Sequence, residues 1–160
     1  MEVLLAESLP SGVNVLRLFV YGTLKRGFGN HRRYCGDLLA AYEARVWGRL
    51  FLLPASYPAL EVPTGVEGEA VERVEDWGWV QGELFEFPAD SPVLDILDEL
   101  EGYVPGDPDS LYMRVMVEVH AEQTTCMAWA YVQRAPILGR RIRSGQWPEA
   151  GRVISRGRHG

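Results

Sequence analysis

One stretch of this chain reads clearly as helix and five read as strands, and that imbalance narrows the fold more than any other feature. The helix is DSPVLDILDELEGY (90–103). Ser91 can cap it, Pro92 suits the first helical position, Asp95 is favourable near the N-terminus and Gly102 suits the stop. The strands are VLRLFVY (15–21), RVWGRLFLL (45–53), GWVQGELFEF (78–87), YMRVMVEVHA (112–121) and TCMAWAYVQ (125–133). Their β-branched and aromatic residues carry the assignment, with Met113, Val115, Val117 and Val119 alternating onto one face. HRRYCGDLLAAYEA (31–44) suits a short helix running into the next strand, and PASYPALEVPTGVEG (54–68), with three prolines, reads as loop with short extended pieces. A length of 160 residues supports one domain with its own core, and 17 glycines and 10 prolines suit a turn-rich chain. The expected class is α+β: a small barrel or strongly curved sheet with a helix packed against it.

Composition excludes several functions. A net charge of −6 argues against a nucleic-acid partner. The N-terminus, MEVLLAESLPSG, has no basic segment and carries Glu2 and Glu7, so it does not read as a signal peptide. No apolar run is long enough to span a membrane. Cys35 and Cys126 belong to no CxxC or Cys/His pattern, which argues against a metal site and fits two free thiols in a reducing cytoplasm. From Arg140 onward six arginines face one glutamate, Glu149, a basic tail expected to be solvated.

Two places are candidates for chemistry. The first is the loop after the first strand, YGTLKRGFGNH (21–31). Gly22 and Gly27 give the front half of a phosphate loop, but Phe28-Gly29 stands where Lys-Ser/Thr would be needed. The glycine spacing also fails the dinucleotide fingerprint. What remains is a tight turn whose Gly22, Thr23 and Leu24 N–H groups can face an anion, or a plain strand-to-loop turn without a ligand. Asn30 is a possible anchor for this loop, and Lys25 and Arg26 read as solvated.

The second is Glu101. At about 100° per residue, Val93, Leu94 and Leu100 fall near Leu97 on one stripe, and Glu101 falls about 40° from it. Asp95, Asp98 and Glu99 lie well off the stripe and read as solvent-facing acids. A carboxylate on the core side, at the end of the helix where the dipole disfavours negative charge, is expected to have a raised pKa. That suits a general acid/base near neutral pH. The alternatives are that the helix frays before Glu101, or that Glu101 pairs with an arginine such as Arg114.

These segments together carry a resemblance. FVYGTLKRG followed by NH, then YPAL (57–60), VQGELFEF (80–87), LDELEGY (97–103), LYMRVMVEV (111–119), AWAYV (128–132) and IRSGQW (142–147) resemble, in order and spacing, the γ-glutamylcyclotransferase-like (AIG2-like) family. The likeness covers 16–147 and is nearest to the γ-glutamylamine cyclotransferase-type branch. YGTLK, a downstream LDxxEGY and Y-x-R are specific only in combination. The resemblance implies a small mixed β-barrel with flanking helices, an enzyme that needs no metal or cofactor, and a small-molecule γ-glutamyl substrate. It makes Glu101 the catalytic acid/base and Tyr21, Gly22, Thr23, Leu24, Tyr112 and Tyr131 the substrate-binding residues. In the implied reaction the α-amine of a γ-glutamyl group attacks its own γ-carbonyl, releasing 5-oxoproline and an amine or amino acid. A non-catalytic binding module of the same fold, or removal of a γ-glutamyl protecting group from a biosynthetic intermediate, are the competing readings. The expected organisation is a flexible leader (1–14), one domain (15–147) and a flexible basic tail (148–160), in a cytoplasmic monomer or weak dimer. The segment GYVPGDPDSLY (102–112) is either a lid over the pocket or a spacer.

Overall fold

The computed structural model describes residues 14–64 and 76–149. The elements run β1 (Val15–Val20), α1 (Gly29–Tyr34), β2 (Ala40–Leu52), β3 (Pro58–Glu61), β4 (Gly78–Pro88), α2 (Val93–Glu101), β5 (Met113–Ala121), β6 (Thr124–Val132) and β7 (Arg140–Arg141). Five strands close a barrel in the order β2-β4-β1-β6-β5, with β5 returning to β2 through Ala44–Ala121 and Arg45–His120. The sheet is mixed: β1 and β6 run parallel at Leu18–Trp129, and the other pairs are antiparallel. Closure removes the exposed edges that an open sheet of these strands would present. β2 is long enough to run past the barrel, where its second half pairs with β3 on one side and β7 on the other. The expected α+β barrel with flanking helices is therefore the fold observed.

Two clusters hold it together. Phe19, Val46, Leu50, Val80, Leu84, Val117 and Val119 fill the barrel interior. Leu18, Phe85, Phe87, Val93 and Leu97 form the second cluster, with α2 seated on the outer face of β1 and β4. Leu18–Val20 are thus buried on both faces, which is why the second half of β1 reads as an apolar run rather than an alternation, while Arg17 in the first half pairs with Glu86 of β4. β2 faces water on one side and alternates accordingly, with Ala44, Val46 and Leu50 inward and Glu43, Arg45 and Trp47 outward. β3 was expected only as a short extended piece; all four of its residues are buried, so it has no period to read.

α2 keeps most of its expected signals. The Ser91 hydroxyl accepts the Val93 N–H at 3.1 Å, and Gly102 caps the C-terminus with φ 71°, a left-handed conformation that favours glycine. Two expectations fail. Pro92 stands at the N-cap rather than at the first helical position, which Val93 takes. Asp98 is not solvent-facing: its side chain is 13 % exposed and holds Arg114 through two hydrogen bonds, 2.7 and 2.9 Å. The leader lies outside the described residues up to residue 13, as does the tail from residue 150. The described start of the basic segment is paired rather than free: Arg140 binds Glu149, and Arg141 and Arg143 both bind Asp76. No helix among the described residues is long and apolar enough to cross a membrane.

Candidate active site

The seating of α2 on β1 and β4 decides where the candidate residues meet. β1 delivers Tyr21 and the turn that follows it, and the end of α2 delivers Glu101. β5 and β6 bring Tyr112 and Tyr131 beside them. All seven residues singled out from the sequence, Glu101, Tyr21, Gly22, Thr23, Leu24, Tyr112 and Tyr131, line one cavity of about 840 Å³. Pro58 at the start of β3, Asn30 from α1, and Leu100 and Leu111 on either side of the α2 terminus complete much of the wall.

Glu101 has no hydrogen bond or ion pair among the described residues, and burial pushes its carboxyl up from 4.5 to about 7. The alternative pairing with Arg114 is not made, because Arg114 is taken by Asp98. The helix also holds through Glu101 rather than fraying before it.

All three tyrosine hydroxyls spend their protons on acceptors of the protein itself. Tyr21 donates to the Tyr131 carbonyl at 2.5 Å, Tyr112 to the Pro58 carbonyl at 2.9 Å and Tyr131 to Asp98 at 2.7 Å. Burial raises the pKa of each, with the Glu101 carboxylate adding to the effect, so all three stay neutral. Their rings supply wall and their hydroxyls supply structure. Asp98, misread from the helical angle, is the anchor of this frame: it receives Arg114 and Tyr131, and Tyr131 in turn receives Tyr21. Asp98→Asn is expected to lower stability by about 2 kcal/mol, since it leaves a partly buried guanidinium half-paired. Urea unfolding at pH 7 measures this.

The loop after β1 offers donors. No acceptor occupies the N–H groups of Gly22, Thr23 or Leu24 among the described residues. The turn is closed behind them by Lys25 N–H to the Gly22 carbonyl at 3.0 Å and by His31 Nδ1 against the Leu24 carbonyl at 3.0 Å. Asn30 Nδ2 donates to Thr23 Oγ1 at 2.8 Å, as its suggested anchoring role requires, which leaves the Thr23 proton free to donate. Backbone donors of this kind suit an anion or a developing negative charge. Lys25 departs from expectation: it is half-buried, donates to the Trp147 carbonyl, and burial lowers its pKa. Arg26 is half-exposed and lies between Glu43 and Glu83.

Segment 102–111 folds on itself, with the Ser110 hydroxyl bridging the Val104 N–H and carbonyl and Leu111 N–H bonded to the Gly102 carbonyl. Its last residue, Leu111, joins the cavity wall with Glu101. Neither cysteine lines the cavity, and burial holds the Cys35 thiol up at about 12. Among the described residues no three His, Cys, Asp or Glu side chains gather at metal-binding distance.

Comparison with known proteins places the chain in a family. The family described as gamma-glutamyl cyclotransferase, AIG2-like, matches residues 18–149. A gamma-L-glutamyl-butirosin B gamma-glutamyl cyclotransferase of Niallia circulans is 32% identical over 127 residues, covering 79% of this chain and 72% of the relative. Among solved structures, YkqA from Bacillus subtilis aligns with a TM-score of 0.57 at 27% identity over 84% of this chain, which spans only 40% of the length of YkqA. An AIG2-like protein from Mus musculus aligns with a TM-score of 0.52 at 25% identity, over 77% of this chain and 81% of that one. The chain belongs to the AIG2-like gamma-glutamyl cyclotransferase family of enzymes.

Proposed function

We propose that the protein cyclises the γ-glutamyl group of a γ-glutamyl amide, releasing 5-oxoproline and an amine, with Glu101 carrying the protons. The observation behind this is an unpaired, largely buried carboxylate with a pKa of about 7, sharing a cavity with unused loop N–H groups. The substrate's α-ammonium must lose a proton before its nitrogen can attack, and the Glu101 carboxylate takes it. The nitrogen lone pair then forms a bond to the γ-carbonyl carbon, closing a five-membered ring with a tetrahedral centre. Bond formation leaves the ring nitrogen with one proton too many. The C–N bond to the leaving amine breaks as Glu101 returns its proton to that nitrogen, and the released amine takes the second proton that the ring nitrogen sheds, so one ammonium enters and one leaves. Atoms balance without water. Because the attack is intramolecular, the cavity's main work is to hold the glutamyl chain folded. The Gly22, Thr23 and Leu24 N–H groups and the Thr23 hydroxyl would receive negative charge from the α-carboxylate or the oxyanion.

The test is a panel of γ-glutamyl amines and γ-glutamyl dipeptides without added metal, read as 5-oxoproline by mass, for wild type and Glu101→Gln. Product that depends on Glu101 supports the reading, and equal turnover by both proteins removes it. The acid limb of kcat/KM is expected to have its midpoint at about 7. Below it Glu101 is protonated and cannot accept, so the rate falls about tenfold per pH unit. A limb near 4.5 would mean that a different carboxylate acts.

A second reading, removal of a γ-glutamyl group from a biosynthetic intermediate, draws on the Niallia circulans relative, whose name specifies gamma-L-glutamyl-butirosin B. The chemistry is identical and only the leaving amine differs. A pure binding module is disfavoured by the cost of keeping a buried carboxylate with no partner.

A further inference from the structure

On the reading that this cavity takes a γ-glutamyl group, we propose that the leaving amine is neutral and apolar, an alkyl or aralkyl amine bound on a rim made by Tyr57, Leu100, Leu111 and Leu138. Glu101 is the one charged side chain lining the cavity among the described residues. With Glu101 and the loop donors engaged by the glutamyl group, no further charged side chain among the described lining residues answers a charged leaving group. An amino acid would bring a carboxylate into the cavity with no Lys or Arg in the wall to receive it. A polyamine or an amino sugar would bring ammonium groups with no second carboxylate. Desolvating either charge unpaired is costly.

The rim fits the opposite kind of ligand. Tyr57 is 54% exposed, Leu100 43%, Leu111 64% and Leu138 81%, yet all four line the same cavity. Scattered apolar side chains on a surface need no explanation, but four converging on the mouth of one cavity mark a binding surface. They come from four different segments: the β2–β3 turn, the end of α2, segment 102–111 and the loop after β6. Pro54, Pro136 and the uncharged Gln133 line the same cavity.

The experiment separates this proposal from the catalytic one by using analogues that cannot react. Glutaryl amides keep the carboxylate and the γ-carbonyl but lack the α-amine. Binding of glutaryl-hexylamide to the full chain is compared, by calorimetry, with the 6-aminohexyl and 5-carboxypentyl amides of similar length. The hexyl amide is expected to bind at least tenfold tighter than either. Affinity should rise roughly twofold to fourfold per methylene from butyl to hexyl, as burial of each group predicts. Leu138→Glu, at a solvent-exposed position where folding is not at risk, should shift the preference at least fivefold toward the 6-aminohexyl amide. Equal or tighter binding of a charged amide to the wild type overturns the proposal, as does a Leu138→Glu preference equal to that of the wild type. The matching γ-glutamyl amides are then assayed for 5-oxoproline. If the apolar order holds and no product forms, the cyclotransferase reading falls and the apolar site stands. If product forms and the charged amides are preferred, the reverse holds.

Discussion

Glu101→Gln is expected to lose at least a hundredfold in 5-oxoproline formation and to gain about 3 kcal/mol of stability at pH 8. Both effects have one origin. The carboxyl titrates at about 7 in the fold and at 4.5 when unperturbed, so the folded state binds its proton more tightly than the unfolded chain does. The sign follows from that order. Below 4.5 the group is neutral in both states and costs nothing. As pH rises from 4.5 to about 7, the unfolded chain ionises first, and wild-type stability falls. Above 7 both states are ionised and the loss is complete, about 1.4 kcal/mol for each pH unit between the two values. Glutamine does not titrate, so the two proteins should unfold together at pH 4 and separate progressively up to pH 7. Urea unfolding of both at intervals between pH 4 and pH 8 tests this. A gap that does not change with pH would mean that Glu101 is not held in the environment described here. The same uncharged side chain cannot accept the α-ammonium proton, so the stabilised variant should be the inactive one. Asp98→Asn, three residues earlier on the same helix, should do the opposite to stability. The contrast separates a residue that strains the fold from one that anchors it.

The sequence carried these two residues unequally, for a physical reason. A helical projection treats the core as lying in one direction, the one marked by Val93 and Leu97. Glu101 falls near that direction and is legible. Asp98 lies off to the side, where Arg114 on β5 and Tyr131 on β6 reach it, and no helical angle reports neighbours supplied by strands that come later in the chain. The same limit applies to Lys25, whose acceptor, the Trp147 carbonyl, is 122 positions away. A strand with one wet face, such as β5, was legible from alternation, whereas the first five residues of β2 (40–44) lay in a segment with no clear period. β3, buried throughout, was not. Barrel closure rests on two residue pairs between β2 and β5 in the middle of a 13-residue strand, and no local pattern marks where that strand changes partners. The rim residues Leu111 and Leu138 are single apolar side chains in loops, without a period to reveal them.

Gly82→Ala is expected to destabilise the protein by about 3 kcal/mol, the upper part of the range for overpacking. That lowers Tm by roughly 10 °C for a chain of this size. Gly82 lies in β4 opposite Ala44 of β2. A Cβ there would stand 2.3 Å from the Val20 carbonyl oxygen and 2.6 Å from the Phe19 ring. The ring can tilt, but a backbone oxygen held in a strand cannot rotate aside. Relief must therefore move the end of β1, and Val20 is the residue from which Tyr21 and the donor loop depart. Turnover by the variant should consequently fall mainly through a higher KM for γ-glutamyl amides, because the loop is displaced while Glu101, on α2, is not. Gly78 supplies the control. It begins the same strand and a Cβ there meets nothing within 4 Å, so Gly78→Ala should leave both stability and KM close to wild type. Similar losses from both substitutions would assign the effect to alanine in the strand rather than to the approach of β1. A loss confined to Gly82 ties the geometry of the donor loop to the close approach of β1 at Gly82.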